Sequence, residues 1–306
     1  MPHTSIRTSV FGYLIKTEVA KLTPNNWKKG LNTRSDAFSA KDIRHVEHWD
    51  LALKDITTAP FAHCLEREIE SEHTTDSKPY VNDEATTAQR LEMVFWPHIR
   101  RTLRAGCDPE VPEGHVRIYC DIGSAAKSHP QAKPDRAARV SEDVPLPYRD
   151  NRLPGELKVS WKWSSDMVEV APDDEGEEYE YRQVLSQLLF YMKVHQCRWG
   201  YIITDREVVC ARRQPLQDNV IELSDAIPLT RCQDPLQNWS LGPKVDNGYP
   251  HAEGELTALL AICTCTCWHP WRIRQRDGSW LGNGGPRLSL VYLWNSLRRM
   301  RTTTGM

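Results

Sequence analysis

The chain is expected to fold as an α/β protein whose sheet is covered by helices on both faces. Three observations carry that expectation. A helix-period apolar stripe runs from about Asp83 to Leu103, and segments of period-two alternation follow it. A second helix-period stripe lies between Glu178 and His195, and two further alternating segments come after it. Strands and helices interleaved in this order pack as layers around one sheet.

Each element has a local reason. In the first helix Leu91, Val94, Phe95, Ile99 and Leu103 recur at helical spacing, Asn82 or Asp83 can cap it, and Pro97 is expected to kink it. His115–Cys120 alternates, with Val116, Ile118 and Cys120 on one side, and Lys133–Val140 reads as a second, weaker strand. Two prolines and several charges make 144–152 a loop. Gly155–Trp163, with β-branched and aromatic residues, is a third strand, and the acidic stretch 166–178 is another loop. Val184, Leu188, Tyr191 and Met192 then form the stripe of a helix over Glu178–His195. Trp199–Thr204 and Glu207–Arg212 are strands joined by Asp205-Arg206, and a last helix is expected over Gly254–Ile262.

The expected organisation is an N-terminal extension over 1–79, partly helical or disordered, a main domain over 80–267 and an irregular tail over 268–306. In the extension a helix around Asp42–Lys54 would set His45 and His48 one turn apart; with no third ligand they read as a solvated face. The tail places Trp268, Trp271 and Trp280 among arginines and the run Gly282–Pro286.

The net charge of -2 over 306 residues gives no global electrostatic pull toward nucleic acid, so any basic surface must be local. The nine cysteines are scattered and odd in number, which favours reduced thiols in the nucleus or cytoplasm over a secreted setting. Met1–Lys16 has no continuous apolar core of the signal-peptide kind. No apolar run approaches the ~20 residues that span a bilayer, so no membrane partner is expected. Nothing in the sequence specifies an oligomeric state.

The residues that carry chemistry are Pro134-Asp135 and, on the third strand, Glu156-Leu157-Lys158. Strand alternation sets Glu156 and Lys158 on one face. Hydrolysis of a phosphodiester needs charge stabilisation, an activated water and help for the leaving oxygen, all of which a divalent cation assists. Mg2+, or Mn2+, takes oxygen ligands and keeps several waters, so Asp135 and Glu156 suffice, with the Leu157 carbonyl as a further ligand. Lys158 would orient the attacking water or neutralise the phosphate. As a bare triplet, Glu-x-Lys is better explained by solvated strand charges.

In their order these residues resemble the PD-(D/E)XK nuclease superfamily, in which Pro-Asp opens the second strand and acid-x-Lys lies on the third. Gln187-Leu188-Leu189-Phe190-Tyr191 matches the Gln-x-x-x-Tyr motif of its RecB-type branch. The wording from Leu153 to Trp163, then Tyr181-Arg182-Gln183 and Thr204-Asp205, is similar to fungal proteins carrying this nuclease-like domain. The resemblance covers about residues 80 to 265. It implies a restriction-endonuclease-like three-layer α/β/α core with a central mixed sheet, in the order helix, three strands, helix, strand. It also implies a metal-dependent nuclease acting on DNA, or on RNA. Gln187 and Tyr191 would then project toward the metal, with Gln183 a candidate for the same role, and a first-helix glutamate would join them; Glu84 and Glu92 both qualify by position. The upstream histidine of the full RecB-type pattern has no match here.

Around the motifs, Lys162, Arg182, Lys193, Arg206, Arg212 and Arg213 could track a phosphate backbone, and Trp161 and Trp163 could stack on bases or pack in the core. The spacing of Cys263, Cys265 and Cys267 is not that of a zinc knuckle, and His195 beside Cys197 lacks an orienting partner for thiol catalysis. The rival to an enzyme is a catalytically inactive binding or interaction module on the same fold.

Overall fold

A computed structural model describes residues 7–25, 30–59, 61–70, 80–107, 118–127, 129–140, 150–168, 175–214, 217–234, 241–245, 248–249 and 251–267. The expected start of a strand at 115–117, the loop residues 144–149 and 169–174 and the whole tail 268–306, with its tryptophans, lie outside the described residues.

The elements in chain order are β1 (Arg7–Ser9), α1 (Val10–Lys16), β2 (Thr23–Pro24), β3 (His45–His48), α2 (Leu53–Thr57), β4 (Glu68–Glu70), β5 (Tyr80–Val81), α3 (Glu84–Val94), α4 (Trp96–Cys107), β6 (Ile118–Ile122), β7 (Arg136–Val140), β8 (Gly155–Leu157), α5 (Glu175–Val194), β9 (Trp199–Ile203), β10 (Glu207–Arg213), β11 (Val220–Leu223), β12 (Ile227–Pro228) and α6 (Ala258–Cys267). One mixed eight-stranded sheet runs β3-β11-β10-β9-β8-β7-β6, with β12 paired to β10. The pairs β8–β9 and β11–β3 are parallel, and the others in this sheet are antiparallel.

Strand alternation divides the core into two layers. From β9 and β10, Tyr201, Ile203, Val208 and Cys210 enter one cluster with α1, α3, α4 and α6. Their neighbours Ile202, Val209 and Ala211 enter the other, beneath Val184, Leu185, Leu188 and Met192 of α5. The sheet is therefore covered on both faces, as its period-two strands require.

Several sequence expectations are corrected. Within the stretch expected as one helix over Asp42–Lys54, His45–His48 form strand β3, and helix is confined to a 3-10 turn ending at Asp42 and to α2 from Leu53. β3 pairs with β11, and the bonds from Arg44 N to Asn219 O and Trp49 N to Leu223 O extend the ladder at both ends. His45 and His48, three apart on a strand, therefore point to opposite faces. The described part of the N-terminal segment contributes to the core: Val10, Phe11, Tyr13, Leu14 and Ile15 are all buried. The long first helix is two helices. It breaks at Phe95, so Pro97 falls in the first turn of α4, where its missing N–H costs no hydrogen bond. The third strand ends at Leu157 rather than Trp163. The last helix starts at Ala258, where the Thr257 hydroxyl accepts from Leu260 N at 3.2 Å.

Among the described residues no helix is long and apolar enough to cross a membrane. The cysteines at 64, 120, 197, 210, 232, 263, 265 and 267 are free thiols.

Candidate active site

The site forms where the parallel strands β8 and β9 end together, Leu157 beside Ile203. Gly155 opens β8 under the ring of Tyr201: a Cβ there would lie 2.2 Å from Tyr201 Cζ, so only glycine lets the strands approach. Leu157 faces the α1/α3/α4/α6 layer. Glu156, paired in register with Ile202, therefore faces α5.

Glu156 and Lys158 are each 2% exposed and meet directly, Lys158 Nζ donating to Glu156 Oε1 at 2.5 Å. The second oxygen, Glu156 Oε2, is buried without a hydrogen-bond partner. Asp135 stands just before β7 and keeps solvent access; its Oδ2 accepts from the N–H of Leu157 at 2.9 Å, between the two buried charges. The Leu157 N–H is thus bonded to a side chain rather than to a neighbouring strand.

The charges act on one another. Burial pushes Glu156 up to about 8, and the Asp135 and Glu84 carboxylates push the same way against Lys158. For Lys158 burial works downward, but Glu156, Glu84 and Asp135 outweigh it and hold the ammonium above its ordinary range. Desolvation also lifts Asp135, offset in part by the Leu157 N–H and Lys158.

These interactions separate the two first-helix glutamates. Glu84, in the first turn of α3 behind the Asp83 cap, is charge-coupled to Asp135, Glu156 and Lys158 and pairs with Lys162 at 3.2 Å. Glu92 is engaged elsewhere, by Arg100 at 2.9 Å and by buried Arg136, whose guanidinium lies 4.1 Å from the Trp96 ring. Partial burial would raise the Glu92 carboxyl, but the two arginines hold it below the usual range.

On α5, Gln187 Nε2 donates to Tyr191 Oη at 2.9 Å, one turn away, and Gln187 Oε1 is buried without a partner. Burial raises the Tyr191 phenol, and the Glu156 charge pushes the same way. Gln183 is not part of this group. Its amide is consumed by the N-terminal segment, donating to Thr33 O at 2.8 Å and accepting from Ala40 N at 2.9 Å.

The basic residues are dispersed. Lys162 and Arg206 lie at the site end of the sheet, while Arg212 pairs with Glu222 and Arg213 donates to Cys197 O at the other end of β10. Six residue steps of strand separate Arg206 from Arg212, roughly 20 Å. Arg182 donates to Ile43 O at 2.9 Å, and half-buried Lys193 stands near the C-terminus of α5. Trp163 is buried and stacks on Tyr181 with centroids 5.7 Å apart, and Trp161 packs against the other layer.

Sequence reasoning passed over Asp205 and Ser160. Ser160 N and Oγ donate to the two carboxylate oxygens of buried Asp205 at 2.7 and 2.9 Å. Thr204-Asp205 stood in the motif wording, but a contact spanning 45 residues leaves no local signal.

Compared with known proteins, the chain matches no family model and no curated relative. Its own geometry therefore carries the functional argument. The donor set suits a hard cation: the orphaned Glu156 Oε2, the accessible Asp135 carboxylate and the orphaned Gln187 Oε1 are all oxygens. Among the described residues no group of three or more His, Cys, Asp or Glu side chains is arranged to hold a metal. A two-carboxylate site completed by water lies below that number.

Proposed function

We propose that this chain is a metal-dependent nuclease of the PD-(D/E)XK kind, with a restriction-endonuclease-like core, that hydrolyses phosphodiester bonds in DNA or, as the lesser alternative, RNA. One observation carries the reading: a carboxylate and a lysine, two residues apart on a strand end, are buried together at 2.5 Å, with Asp135 bonded to the peptide between them. Burying an acid and a lysine together carries a desolvation cost of several kcal/mol, so stability alone does not call for the pair. The order α4, β6, β7, β8, α5, β9, with β8 and β9 parallel, supports the same reading.

Asp135 and Glu156 would hold Mg2+ or Mn2+, with the Leu157 carbonyl beside them. The bound cation would stabilise phosphate charge and ease ionisation of water. Lys158, freed from Glu156, would stay an ammonium and donate, orienting the attacking water or neutralising the phosphate. Gln187 and Tyr191 keep the α5 side of the site closed, and Glu84 balances Lys158 and Lys162 at its mouth.

Cleavage of plasmid DNA by the purified chain tests this. Activity should require Mg2+ or Mn2+, disappear with chelator and fall by about 10²–10⁴-fold in Lys158→Met. A folded Lys158→Met protein that cuts as fast as the original contradicts the assignment.

One observation favours a second reading, an inactive module on the same fold. Lys158 already occupies one oxygen of Glu156, and among the described residues no three His, Cys, Asp or Glu side chains are grouped to hold a metal. A chain that binds DNA but takes up neither cation would establish the module.

A further inference from the structure

The strand that carries the acid-x-Lys pair is only three residues long and ends at Leu157, so Lys158 lies one position beyond the strand. Its own backbone has one tie to the sheet, from Lys158 N to Ile203 O at 3.0 Å. The chain then turns away from the sheet, Lys162 N and Trp163 N both donating to Val159 O. A lysine on such a turn would swing with it unless the turn were held.

It is held from the β9–β10 hairpin, at two points and by the same chemistry. Ser160 donates from N and Oγ to Asp205 Oδ1 and Oδ2 at 2.7 and 2.9 Å. Ser165 donates from N and Oγ to Glu207 Oε1 and Oε2 at 2.7 and 3.1 Å. The hairpin itself is locked, because Thr204 Oγ1 accepts from Arg206 N and Glu207 N at 3.0 and 3.1 Å. Asp205 is 2% exposed, and Arg206 Nε lies 4.0 Å from its Oδ2. A carboxylate so buried, with both oxygens given to one serine, stays in place because that serine satisfies it.

We propose that Asp205 is a positioning residue for the reaction: through Ser160 it fixes the turn after Leu157 and so aims the Lys158 ammonium at Glu156. Glu207 is the second tooth of the same clamp, farther from the lysine. The catalytic part of the proposal rests on the nuclease reading; the positioning part does not.

The test uses the full chain and three variants, Asp205→Ala, Asp205→Asn and Ser160→Ala. Nitrogen-15 NMR of the lysine side chains reads Lys158 directly, its signal assigned by its loss in Lys158→Met. The Lys158 signal should move or broaden in Asp205→Ala and be restored in Asp205→Asn, whose amide can still accept from Ser160 N. Cleavage should fall by about 10²-fold in kcat in Asp205→Ala with little change in KM, as expected for a displaced reacting group. If Asp205→Ala does not fold, Ser160→Ala decides, since it removes only the hydroxyl half of the contact; its Lys158 signal should shift. An unmoved Lys158 signal in folded Asp205→Ala or, where that variant does not fold, in Ser160→Ala overturns the proposal, whatever the activity. An unaltered chain that cuts neither DNA nor RNA removes the nuclease reading and leaves the NMR result to decide the positioning.

Discussion

Glu156 makes the metal-free protein sensitive to pH in a definite direction. Its carboxyl is raised by burial from 4.5 to about 8, so the folded chain keeps a proton that the unfolded chain releases. This contribution to stability is complete below 4.5 and is lost as the pH climbs to about 8. Urea denaturation across that window should show stability falling by on the order of a few kcal/mol, and Glu156→Gln should flatten the slope. A wild-type slope equal to that of Glu156→Gln would show that the glutamate is ionised throughout. The residue scale is also where reading from sequence was uneven. Glu156 and Lys158 were legible because two-residue spacing on a strand fixes a shared side. Glu84 and Glu92 were equivalent on paper, since a helix position does not say that Arg136 waits for Glu92. Gln183 shares a helix face with Gln187, yet a passing backbone at Thr33 and Ala40 takes its amide.

At the scale of elements, those with strong local periods were legible. α5, β9 and β10 came out within a few residues of their observed bounds, because their apolar spacing is set by contacts on both faces of the sheet. β3 was not legible: four exposed residues become a strand only because β11, far along the chain, supplies the partner. The shortness of β8 was hidden too, because Val159 and Trp163 continue an apolar pattern after the backbone has left the sheet. Gly155 offers a direct test of how tightly β8 and β9 are apposed. Gly155→Ala would drive a methyl into the Tyr201 ring and should destabilise by about 1–3 kcal/mol, measured by urea denaturation. The pair Gly155→Ala with Tyr201→Leu should recover part of that loss; no loss in the single variant would mean that the strands stand farther apart.

For the whole molecule the N-terminal segment decides what a functional unit is. α1 buries Val10, Phe11, Tyr13, Leu14 and Ile15 in the same cluster as α4, α6 and Leu157 of the site strand. Five such side chains contribute on the order of 10 kcal/mol, comparable with the entire net stability of a domain. A chain cut to residues 80–306 should therefore lack a cooperative unfolding transition; a sharp melt from that fragment would show that α1 is dispensable. The sequence reading set this segment aside because a seven-residue helix with no polar face carries no amphipathic signal. The layered sheet and the buried acid–lysine pair now belong to one body in which α1 and α4 support one side of β8 and α5 closes the other. The claim that this body exists to hold a divalent cation is tested most directly by calorimetric titration of the full chain with Mn2+. Binding to the unaltered protein, lost in Asp135→Asn and in Glu156→Gln, is the predicted result. No binding, or binding that survives both substitutions, would contradict it.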